Sequence, residues 1–130
     1  MRFKYLLLLT TILLSCKPVF KDKQVENLYD EVIVIHDEVM PEISTINKLK
    51  KKIRQLPDQN PETMSLIQEL DTADEAMMSW MSDFQTFRGM EKETKEVKLA
   101  YLESEKIKIS NVSSLMKSAI AKAKKFVDEN

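Results

Sequence analysis

The chain of 130 residues holds one glycine, one cysteine, one histidine and one tryptophan. A single glycine leaves almost no positions for tight turns between strands or for a loop that cradles phosphate, so sheets and nucleotide-binding loops are poor fits. A lone cysteine rules out an intrachain disulfide, and stability has to come from packing. One histidine and no second cysteine remove most nucleophilic and acid–base templates, and the chain is expected not to be an enzyme. Long hydrophobic runs are also missing. The longest stretch, Leu6 to Leu14, is interrupted by Thr10 and Thr11 and is far shorter than the ~20 residues that span a bilayer.

What is present begins with that short run. Arg2 and Lys4 precede it, and a charged start followed by a short apolar core has the form of an export signal peptide over residues 1–15. Leu13-Leu14-Ser15-Cys16 then resembles the lipobox of bacterial lipoproteins, with Leu14 bulkier than the usual occupant of its position. The resemblance implies cleavage before Cys16 and a covalent diacylglycerol and acyl lipid on that cysteine. Each buried methylene contributes about 0.8 kcal/mol, so two or three chains would anchor the protein firmly. The implied address is the cell envelope, on the outer membrane rather than the inner.

Without Arg2 and Lys4 the remainder carries 18 basic and 21 acidic residues, a net charge of −3. That near-balance, with export, argues against a nucleic-acid partner. Charged residues make up 32% of the chain, which with so little glycine favours long amphipathic helices.

Residues 16–23 read as a lipidated tether and 24–130 as one all-α domain. Val25, Leu28, Val32, Ile35, Val39, Ile46, Leu49, Ile53 and Leu56 repeat at alternating steps of three and four, which predicts a first helix over about 24–56. Glu42 is the one polar residue in that stripe, and Pro41 is expected to kink the helix rather than end it. Asn60 suits an N-cap and Pro61 the first helical position. Leu66, Leu70, Ala73, Met77, Trp80, Phe84 and Phe87 predict a second helix over 61–88, closed by Gly89 as a left-handed cap. Thr94 can cap a third helix over 94–128, along Leu102, Ile109, Val112, Met116, Ala119, Ala123 and Phe126, with Glu105 interrupting. Short links predict an antiparallel up-down-up three-helix bundle with coiled-coil-like packing.

Several blocks resemble a family. Leu28-Tyr29-Asp30-Glu31-Val32-Ile33, His36-Asp37-Glu38-Val39-Met40-Pro41, Asp74-Glu75-Ala76-Met77-Met78-Ser79-Trp80-Met81 and Tyr101-Leu102-Glu103-Ser104-Glu105-Lys106 are similar to landmarks of small lipoproteins from flavobacteria and related Bacteroidota. Members often carry the label "viral A-type inclusion protein". The resemblance implies an envelope address and a helical domain, and brings no assigned activity.

Three groups of residues are candidates for function. His36 with Met40, and Met77 with Met81, form i, i+4 pairs on two helices predicted to run side by side. Thioethers with one imidazole suit Cu(I), and the competing reading is core packing by adaptable methionines. Glu105 in the third stripe is placed to accept a hydrogen bond from Trp80 or His36, either as a poised acid or as a contact fixing the core. Lys48, Lys50, Lys51, Lys52 and Arg54, with Lys117, Lys122, Lys124 and Lys125, gather at one end as a basic tip. It could bind phosphate or carboxylate polymers, or simply complement helix dipoles. The function expected is therefore a membrane-anchored, non-enzymatic binding or scaffolding domain engaging an envelope protein or anionic polymer. Metal handling and a homo-oligomeric spacer built from the same stripes are the alternatives.

Overall fold

The computed structural model describes residues 22–130. The signal peptide, Cys16 and most of the tether therefore lie outside the described residues. Within them the chain forms α1 (Lys23–Val39), α2 (Glu42–Arg54), α3 (Pro61–Asp83), a 3-10 turn (Phe87–Met90) and α4 (Lys95–Glu129), and no strand.

The expected first helix is two helices with a joint. Pro41 cannot donate a backbone hydrogen bond, so the ladder breaks over Met40 and Pro41. Both residues nevertheless keep right-handed helical dihedrals. Ile43 and Ser44 restart the ladder with short-range bonds to the carbonyls of Met40 and Pro41. The apolar stripe thus crosses the joint in register: Val32, Val39, Ile46 and Ile53 are all fully buried. At the start of α1, the Asp22 carboxylate accepts from the Gln24 and Val25 N–H groups.

Helix α3 starts where the residue types predict. The Asn60 side chain accepts from the Glu62 and Thr63 N–H groups, and the Thr63 hydroxyl faces the Asn60 N–H at 3.0 Å. Its end departs from expectation. The helix stops at Asp83 rather than running to 88, because Phe84 turns to an extended backbone (ψ 117°). Gly89 is not a left-handed cap: among the described residues no glycine has a positive φ. It lies in the 3-10 turn and donates its N–H to the Thr86 carbonyl at 2.9 Å. Packing of the Phe84 ring, described below, ends the helix instead of a glycine.

Thr94 accepts the Val97 N–H at 3.4 Å and opens α4, whose 35 residues extend about 50 Å. Helix α4 is the common partner: α1, α2 and α3 all pack on it, and α2 also packs on α3. The main core joins Val32, Val39, Ile46, Ile53, Leu70, Met77, Ile109 and Met116, and each such burial stabilises the fold by about 1.5–3 kcal/mol. A second, smaller cluster of Val25, Met90 and Leu102 lies apart, flanked by Leu28, Tyr29, Phe84, Leu99 and Tyr101.

Candidate functional site

The four proposed metal-binding side chains have unlike surroundings. Met77 is fully buried in the main core and Met40 packs half-buried against it, whereas Met81, on the next turn of α3, is 40% exposed. The His36 ring is tilted against Trp80 with centroids 5.6 Å apart, and its Nδ1 lies 2.8 Å from the Asp37 carboxylate. Among the described residues no three His, Cys, Asp or Glu side chains converge as a group that could hold a metal ion.

Trp80 begins a row of rings that decides the geometry at this end. Phe84 stacks on Trp80 at 4.7 Å, and the same ring meets Tyr29 of α1 at 5.9 Å and Tyr101 of α4 at 6.2 Å. One side chain just past α3 therefore ties three helices together. Offset aromatic pairs of this kind contribute about 0.5–1.5 kcal/mol each beyond their buried area. The Tyr101 hydroxyl accepts the Gln85 N–H at 2.7 Å, which holds the chain as it leaves the helix. Burial raises the ionisation of Tyr29 and of Tyr101 above the ordinary phenol range, and the charges of Asp30 and Glu105 respectively add to it.

Glu105 is buried as the broken stripe predicts, at 3% exposure, but its partner is neither Trp80 nor His36. Lys108, one turn along the same helix, donates to it at 2.7 Å. That bond holds the Lys108 ammonium above its usual range, with the Glu105 charge adding to it. A buried carboxylate next to a lysine three residues away takes the nearest cation, and the i, i+3 spacing was the signal to read. The buried indole N–H of Trp80 has no hydrogen-bond partner among the described residues, and neither does one buried carboxylate oxygen of Glu42.

The basic tip divides. Lys50 is only 11% exposed and points to α3, where it pairs with Asp71 at 2.8 Å and Asp74 at 3.6 Å. Lys122 pairs with Glu69 of α3 at 2.6 Å, and Lys125 with Glu129 at 3.9 Å. Helix α3 invites these contacts, since its sequence contains six acidic residues and no lysine or arginine. Lys48, Lys51, Lys52, Arg54, Lys117 and Lys124 take no part in any ion pair among the described residues.

At the opposite end, Lys95 reaches Asp22 at 2.9 Å, and Lys106 reaches Glu31 at 2.6 Å. The Lys95 hydrogen bond is the main reason the Asp22 carboxyl sits below its ordinary range. A shallow groove of about 560 Å³ follows the α1–α4 seam between Leu28, Lys106, Ile107 and Asn111, and Ile107 stands 64% exposed beside it. No helix among the described residues is long and apolar enough to cross a membrane. Compared with family models, curated proteins and solved structures, the chain matches none of them.

Proposed function

We propose that this chain is an envelope lipoprotein: a helical, non-enzymatic binding or scaffolding module held at a membrane, the outer rather than the inner, by acyl lipid on Cys16. The observation that carries the reading is the order Arg2 and Lys4, then the apolar run Leu6 to Leu14, then Leu13-Leu14-Ser15-Cys16. The helical domain behind that leader supports it. From Asp22 onward the described residues form helices with their own core and contain no cysteine. Glu105, the most buried carboxylate of the core, is neutralised by Lys108 rather than set beside a second reactive group.

The arrangement we infer is up-down-up, with α1 and α2 forming one jointed rod. Support comes from paired contacts. Asp22 with Lys95 and Glu31 with Lys106 advance together along α1 and α4. Phe84 with Tyr101 and Glu69 with Lys122 advance in opposite senses along α3 and α4.

Lipid attachment is tested by growing a lipoprotein-processing bacterium on an alkyne-tagged fatty acid and recovering the chain for intact mass. Wild type should carry the tag and lack residues 1–15, and Cys16→Ser should carry no tag. Uncut, untagged wild type, or a tagged Cys16→Ser protein, would end the proposal.

A further inference from the structure

The divided basic tip leaves a face rather than an end. Lys50 and Lys122 both reach the Glu69–Asp71 segment of α3, so α2 and α4 present these two lysines at one level. Two residues along a helix is a turn of about 200°, so Lys48 and Lys52 lie on the side of α2 turned away from α3. Lys124 stands in the same relation to Lys122, and Lys117 lies five residues before it, about 140° around α4. Helices α2 and α4 pack on each other. Lys48 and Lys52 therefore line one flank of the α2–α4 seam, and Lys117 and Lys124 the other, all within about two turns of a common level. All four are exposed, and none makes an ion pair or hydrogen bond to a described residue.

We infer that this seam binds a linear, phosphate-bearing polymer. The inference rests on the binding-module reading and names its partner's chemistry; it does not depend on the lipid. Four ammonium groups in two rows suit repeated charges along a chain better than one small anion, which would meet only one or two of them. Lysines act as point charges and impose no planar, bidentate geometry, so phosphates in varied orientations are accepted. The α3 acids at this level are engaged elsewhere: Asp71 and Asp74 pair with Lys50, and Glu69 with Lys122. Nucleic acid is the less favoured polymer because base stacking needs exposed rings. Among the described side chains, the rings of Tyr29, Trp80, Phe84 and Tyr101 pack with one another at the other end, and Phe126 packs against the core.

The test titrates the purified full chain, in detergent, with fluorescently labelled inorganic polyphosphate at several salt concentrations. Two fourfold variants with matched charge loss are compared: Lys48, Lys52, Lys117 and Lys124 to Gln, and Lys23, Arg88, Lys92 and Lys98 to Gln. Wild type should bind, with affinity falling as salt rises. The seam variant should lose affinity at least about tenfold and show a shallower salt slope, while the other variant loses less than about threefold. Circular dichroism confirms that both variants fold, as expected for exposed positions. No wild-type binding, equal losses in the two variants, or tighter binding of single-stranded DNA than of polyphosphate would each overturn the inference.

Discussion

The two ends of the bundle are closed by different physics. Where α2 turns into α3, the chain satisfies itself locally. The Gln59 amide donates to the Ile53 and Leu56 carbonyls at 3.0 Å, and the Asn60–Thr63 box serves the first turn of α3. Aliphatic side chains lie beneath, with Ile53 fully buried. Where α3 turns into α4, the ending is set from a distance. Phe84 leaves the helix to meet rings from α1 and α4, and Met90 from the connector is buried beside Val25 and Leu102. The first end is specified by neighbours in sequence, and the second by neighbours in space.

The largest expected effect breaks the contrast by removing core that the body of the bundle depends on. Leu70→Ala empties a fully buried site in the main cluster and should cost about 2–5 kcal/mol, lowering the denaturant midpoint with both ends unfolding together. Hydrogen exchange that sped up at one end alone would show that the two clusters unfold independently. A smaller loss separates the ends. Asn60→Ala removes the cap of α3 and should cost about 1 kcal/mol, with faster exchange confined to the first turn of that helix. Unchanged exchange there would mean that packing, not the cap, holds the turn.

The smallest effect sharpens the contrast through pH. Burial raises the Tyr101 phenol in the folded state, so its contribution is complete below the unfolded phenol range. It is lost as pH rises through the folded value. Tyr101→Phe should therefore lose about 0.5 kcal/mol at neutral pH, because the exposed Gln85 N–H exchanges its acceptor for water. Its stability should then decline less steeply than wild type in alkali. Identical alkaline slopes, measured by chemical denaturation, would remove Tyr101 from the account.

The same contrast explains what the residues allow one to read in advance. The apolar stripes as far as Trp80 in α3, the Asn60-Pro61 start and the Thr94 cap depend on local chemistry, and each is found at its expected position. The stop at Asp83 depends on rings contributed by three helices, and no local pattern near Gly89 encodes that meeting. Lys50 reads as one more cation in a basic run, yet the acid-only composition of α3 turns it inward. Glu105 shows the intermediate case. Its burial follows from the stripe, but a nearer lysine claims the carboxylate before the tryptophan can. For the lipidation proposed at Cys16, the basic start, the apolar run and Leu13-Leu14-Ser15 are the whole of the signal.

The clasps between α1 and α4 have a mechanical meaning. Asp22 with Lys95 stands at the start of α1, and Glu31 with Lys106 midway along it. In the up-down-up arrangement proposed above, tension applied at the amino end would slide α1 lengthwise along its partner. Many contacts would then share the load, instead of parting one after another like a zip. The joint at Met40 and Pro41 would be the next place to give, which would leave α2 seated when the first seventeen-residue segment is dragged free.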